Sequence, residues 1–116
     1  MNEFFDALET RSPAQREAEQ MAALAVQVAH AQRHSSAFAG ILDGVDAAGV
    51  NSRAALARLP VTRKHELFER QKAQRASDVF GGFSTLVRGP QMPRVFSSPG
   101  PIYEPEGATR DYWRAG

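Results

Sequence analysis

At 116 residues, with 42% apolar residues and a net charge of +1, the chain is long enough for one modest core and too short for two. The absence of cysteine excludes disulfides and thiolate metal sites. Twelve of the 14 basic residues are arginine, scattered rather than gathered into the patch that a nucleic-acid or membrane surface needs. The start, Met1-Asn2-Glu3-Phe4-Phe5-Asp6, carries neither the basic residues nor the apolar run of a secretion signal, and no apolar stretch has membrane-spanning length. A soluble cytoplasmic chain is predicted, without nucleic-acid or membrane partners.

Residues 1–11 form a lead-in, with Phe4, Phe5 and Leu8 able to tack it onto a larger body. The first helix begins at Ser12, an N-cap, with Pro13 at the first helical position and Gln15 completing a capping-box pattern. It extends to about Gln32. Met21, Leu24, Ala25 and Val28 recur at helical spacing as one apolar stripe, and Val26 beside it suggests a wider buried arc. Ser35 or Ser36 caps a short second helix carrying Phe38, Ile41 and Leu42, which Asp43-Gly44 ends. Asn51 or Ser52 caps a third, with Leu56 and Leu59 inward and Pro60 closing it. Thr62 caps a fourth, Arg63 to about Arg75, whose charged composition places it on a surface.

From Ser77 the composition changes. Phe80-Gly81-Gly82-Phe83 reads as a flexible turn between aromatics, and Ser84–Arg88 as a short strand. Gly89-Pro90 and Met92-Pro93 are turn signals before a strand at Arg94–Ser97. Pro101–Glu104 returns as a second strand, ended by Pro105 and Gly107, and Thr109 caps a last helical segment, Arg110–Arg114. The expected class is α+β and mainly helical: residues 12–76 helical, residues 77–116 strand and loop, all within a single incomplete domain.

A strand that empties into a Ser/Gly loop is one way to hold a phosphate, because hydroxyls and backbone N–H groups converge on the anion. Ser97, Ser98 and Gly100 stand at that place. Pro99, Pro101 and Pro105 interrupt it, and proline has no N–H to offer. The alternative is a structural turn stiffened by Pro99 and Pro101.

The order of stretches carries a resemblance. A capped helix is followed by Ala29–Phe38 (AHAQRHSSAF), Leu59–Leu67 (LPVTRKHEL), Gly81-Gly82-Phe83, Arg94–Ser98 (RVFSS) and Thr109–Trp113 (TRDYW). From about Leu8 to Arg114 this resembles the amino-terminal segment of phenylacetate–coenzyme A ligases, in the AMP-forming acyl-CoA synthetase superfamily. The resemblance implies the first part of the large domain of an adenylate-forming enzyme. It implies a parent activity in which ATP and a carboxylic acid give an acyl-adenylate and pyrophosphate, after which CoA displaces AMP. ATP, Mg²⁺ and CoA are implied on the same ground, with Ser97, Ser98 and Gly100 bordering the ATP phosphates. In the family the loop continues Ser-Ser-Gly-Thr-Thr-Gly-Lys-Pro. Here Ser97 and Ser98 match, the threonines and lysine are missing, and Glu104 sits near the family's cation. The pockets and the catalytic lysine of the family lie further along than this chain extends. It is therefore expected to be inactive alone, with the missing downstream part or a complementing chain as its partner. A small helical interaction module or split subunit is the alternative, motivated by Phe4, Phe5, Tyr112 and Trp113, which would be left exposed and prone to self-association if the rest of a large domain is absent.

Other candidates have plainer readings. Tyr103, Tyr112 and Trp113 can stack on a base but more commonly pack. Glu104, Glu106 and Asp111 can be read as a carboxylate cluster, or as solvated and ion-paired acids. His30 and His34, at i and i+4, form a two-ligand spacing without the Glu of the zinc-protease signature, and are read as a helix-end pair near solvent. Thr62-Arg63-Lys64 can mark a helix start at a phosphate or part of a DNA reader, against which Glu66 and Glu69 stand.

Overall fold

The structure, a computed structural model, describes residues 3–109. It is α+β. The helices are α1 (Pro13–His34), α2 (Ser36–Ile41), α3 (Arg53–Leu56) and α4 (Lys64–Gln74), with single 3-10 turns at Ala7–Thr10 and Ala47–Gly49. β1 (Arg94–Ser98) and β2 (Ile102–Glu106) pair antiparallel. No helix among the described residues is long and apolar enough to cross a membrane. The predicted segment Arg110–Arg114, with Asp111, Tyr112 and Trp113, lies outside the described residues.

The chain divides into two compact units. One holds the described residues up to Ala29 with Gly44–Leu59, and the other holds His30–Asp43 with the described residues from Pro60 onward.

In the first unit, helices start where small hydroxyls allow. Ser12 Oγ accepts from Gln15 N at 3.1 Å, and Ser52 Oγ accepts from Ala55 N at 3.1 Å, each satisfying an amide that the helix start leaves unpaired. The second half of the predicted capping box is not formed, because the Gln15 amide donates to Glu19 at 3.0 Å instead. The predicted stripe is real: Val28 is buried and Met21, Leu24 and Ala25 are half-buried. Val26 is 71% exposed, so the arc is no wider than the stripe. In α3 the buried residue is Ala55, and Leu56 is exposed, contrary to expectation. Four residues make barely one turn, so small shifts in its start decide which side faces in.

In the second unit, Ser35 is the N-cap of α2 and accepts from Phe38 N at 3.2 Å. Its hydroxyl also donates to Gly82 O at 2.7 Å, and Ala37 N donates to the same carbonyl at 3.0 Å. The Phe80–Phe83 turn is thus buried against α2, not free in solvent. Asp78 holds it from below, its carboxylate accepting from Phe80 N at 3.0 Å and Gly82 N at 2.8 Å. Gly81 and Gly82 have φ of 61° and 81°, which glycine adopts without penalty. A Cβ on Gly81 would lie 2.9 Å from Gln71 N, so the turn also lies directly on the α4 backbone.

The predicted strand Ser84–Arg88 is absent. Ser84 Oγ accepts from Leu86 N at 3.0 Å and donates to Leu86 O at 2.9 Å. This local closure competes with extended pairing. α4 begins with Arg63 rather than Thr62 at the cap position, and Glu66 accepts from Arg63 N at 2.9 Å.

Candidate functional site

The loop carrying Ser97, Ser98 and Gly100 is the turn of the β1–β2 ribbon. Its register pairs Arg94 with Glu106, Phe96 with Glu104, and Ser98 with Ile102, leaving Pro99, Gly100 and Pro101 as the connection. The Gly100–Pro101 peptide bond is cis.

Gln71 fixes which main-chain groups of this ribbon face where. Its carboxamide accepts from Tyr103 N at 2.9 Å and donates to Tyr103 O at 2.9 Å, imitating a neighbouring strand. A longer contact reaches Phe80 O at 3.4 Å. Only 2% of Gln71 is exposed, so these bonds are made out of water. Because Tyr103 turns both groups away from β1, Ser97↔Tyr103 is a non-hydrogen-bonded pair of the antiparallel ladder. Alternation then makes Val95↔Pro105 non-bonded as well. The N–H that Pro105 lacks would point away from β1, so Pro105 sits within β2 instead of ending it.

The same alternation turns the main-chain groups of Ser98 and Ile102 towards each other. The Ser98 N–H therefore faces the ladder and not the loop's outer side. Pro99 and Pro101 have none. Gly100 is left as the single N–H of the three-residue turn. A phosphate cradle needs several successive amides. Ser97 is exposed, and Ser98 is half-buried with its hydroxyl 3.5 Å from Ile102 O.

The ribbon turn lies beside the start of α4. Ser98, Ile102 and Glu104 share a depression of about 350 Å³ with Thr62, Arg63, Lys64 and Leu67. A Cβ on Gly100 would come within 3.5 Å of Phe68 Cδ2, so the turn also rests on the second turn of α4. The structure thus brings together two stretches that the sequence singled out separately: the Ser98 loop and Thr62-Arg63-Lys64. It also puts Glu104 in the same depression, where a carboxylate repels a triphosphate. The positive residues lining it, Arg63 and Lys64, come from the cap and first residue of α4 and not from the loop.

At the other end of the ribbon, Arg94 donates to both carboxylate oxygens of Glu106, at 2.7 and 2.8 Å. The Glu106 side chain is 5% exposed and the Arg94 side chain 62%. The hydrogen bond to Glu106, and then its charge, hold the Arg94 guanidinium even more basic than usual. Glu106 is accordingly a structural ion-pair partner, while Glu104 is exposed. Tyr103 is half-buried and its backbone is what α4 holds.

Gln71 is the residue that sequence reasoning missed. It sits between charged neighbours in a helix read as a surface element. The available signal was a neutral, hydrogen-bonding side chain three residues after Phe68, on the apolar side of an otherwise charged helix.

The turn offers no run of successive N–H groups, since Pro99 and Pro101 lack them and the Ser98 N–H faces the ladder. Among the described residues no three His, Asp or Glu side chains come together as a metal site. No family model, no curated protein and no solved structure matches the chain.

Proposed function

We propose that this chain is the amino-terminal portion of an AMP-forming aryl- or acyl-CoA ligase resembling phenylacetate–CoA ligase. In this proposal the ribbon turn at Ser97, Ser98 and Gly100 borders the ATP phosphates without gripping them. The helices buttress the large domain, and the chain alone does not catalyse. The observation that supports the reading is the meeting of the Ser98 turn with Thr62, Arg63 and Lys64 in one depression. Two of the stretches on which the resemblance rests, LPVTRKHEL and RVFSS, are far apart in the chain and adjacent there. In this reading Arg63 and Lys64, at the start of α4, supply cations in place of the lysine that the loop lacks.

The adenylate-forming domain, with ATP, Mg²⁺ and CoA as its ligands, belongs to this proposal. So does the partner, a downstream part of the same domain or a complementing chain. The test is to supply the purified chain with ATP, Mg²⁺, CoA and phenylacetate, alone and co-expressed with a downstream segment of such a ligase. The chain alone gives no pyrophosphate and no thioester above background, and the complemented pair gives both. Pyrophosphate from the isolated chain, or none from any complemented pair, overturns the reading.

A second reading, a small interaction module or split subunit, draws on exposed apolar side chains. Phe4 is 48% exposed, Phe5 64% and Phe96 45%. A concentration-independent monomer with one sharp melting transition would favour it over an incomplete domain.

A further inference from the structure

The last two turns of α1 hold an arrangement that the ligase reading does not use. His30 and His34 are four residues apart on one face, both exposed, with ring centroids 4.7 Å apart and planes inclined at 43°. Two imidazoles that share a tetrahedral zinc at about 2.0–2.1 Å per nitrogen have their ring centres roughly 5 Å apart. The rings therefore already stand at about the separation that a shared metal imposes. The axial spacing of i and i+4 residues, one helical turn, provides it without backbone movement.

Two further features favour a cation here. His34 is the last residue of α1, and the partial negative charge of a helix carboxyl end attracts positive charge. Both imidazoles are also exposed, so the metal can reach them without local unfolding and the remaining coordination positions open to water. Arg33 is the charged neighbour in the same turn and acts against binding. Among the described residues no third His, Asp or Glu joins the pair, so the site is two-coordinate from protein and modest in affinity.

From this geometry we infer that His30 and His34 form a chelating site for a borderline divalent cation, Zn²⁺, Ni²⁺ or Cu²⁺, with water in the open positions. Imidazole ligands suit these ions, and Cu²⁺ binds tightest of the three. Mg²⁺ and Ca²⁺, which prefer oxygen ligands, do not bind there. The inference is independent of the proposed ligase role.

The test is titration of the full chain with zinc chloride, followed by calorimetry and by the histidine ring resonances in NMR. One equivalent binds, and the His30 and His34 resonances move together while those of His65 do not. His30→Ala or His34→Ala each weakens binding by roughly tenfold or more, because the second imidazole no longer acts intramolecularly. His65→Ala leaves it unchanged. Far-ultraviolet circular dichroism verifies that each variant keeps its helix content. Binding that survives both single substitutions, or ring shifts confined to one of the two histidines, overturns the inference.

Discussion

In the first unit, polar side chains pair at the surface, whereas in the second Ser35, Gln71 and Glu106 are carried inside. The two arginine–glutamate pairs make the contrast concrete. Arg53 meets Glu17 with both oxygens engaged, at 2.6 and 2.9 Å, and Arg94 meets Glu106 at 2.7 and 2.8 Å. The geometry is nearly the same. Glu17 is 44% exposed and Glu106 only 5%. Water screens the first pair and can replace either partner, but Glu106 has no such substitute. Matching contacts thus differ in consequence because of where the carboxylate sits.

The second unit relies most on Gln71, so the largest predicted effect is there. Gln71→Ala leaves Tyr103 N and O without their partner and opens a cavity under the Phe80 turn. A loss of about 2–5 kcal/mol is expected, read by urea denaturation. Gln71→Glu does not restore the wild type, because a carboxylate cannot donate to Tyr103 O and is buried with its charge. A variant with unchanged stability would remove the clamp from the account.

Gly81→Ala comes next. It places a methyl 2.9 Å from the Gln71 amide nitrogen at a φ of 61°. Left-handed strain and backbone displacement together suggest about 2–4 kcal/mol. Gly44, also at positive φ (76°), has open space around it, so Gly44→Ala separates the strain from the clash and costs less.

Arg94→Ala should destabilise more than Arg53→Ala in parallel melts, since only the first strands a buried carboxylate. Equal shifts in melting temperature would mean that burial of Glu106 does not matter.

Acid sharpens the same comparison. The hydrogen bond and charge of Arg53 hold the Glu17 carboxyl below the usual carboxylate range, and Arg11, with Gln15, does the same for Glu19. A lowered carboxyl stabilises the fold above its unfolded value of about 4.3, and the contribution disappears as pH falls through the lower folded value. Arg94 shifts the other way: its contribution is complete below the ordinary arginine range and constant across working pH. The small difference between wild type and Arg53→Ala should therefore shrink progressively as pH falls below the unfolded carboxyl range, as measured by melting temperature. A difference that persists at low pH contradicts the pairing.

How much of this was legible in the sequence follows the distance over which each feature acts. The caps Ser12, Ser35 and Ser52 act on residues three positions away, so the sequence marked Ser12 and narrowed the other two to Ser35 or Ser36 and to Asn51 or Ser52. A strand, a turn and a returning strand were legible for a similar reason, with bounds of Arg94–Ser97 and Pro101–Glu104, whereas Pro105 was misread as an end because its place on a non-bonded pair depends on the register. Ser84–Arg88 was misread because β-prone residues make a strand only with a partner, and the Ser84 hydroxyl closes the segment on itself first. Gln71 was not legible because its partners, Tyr103 and Phe80, lie 32 and 9 residues away. Within the candidate site, Ser98 and Thr62-Arg63-Lys64 were each visible as local patterns. Their meeting depends on Gln71 and Phe68, so only the fold could supply it.

The ribbon turn is where this contrast bears on function, because Pro99 and Pro101 carry no N–H and Ser98 turns its own into the ladder, leaving Ser97 and Gly100 with amides that are not successive. Isothermal calorimetry of ATP into the purified chain tests that claim most directly. No saturable heat is expected at micromolar concentrations of ATP, and Ser98→Ala should leave the trace unchanged. Micromolar binding by the isolated chain, abolished by Ser98→Ala, would contradict it.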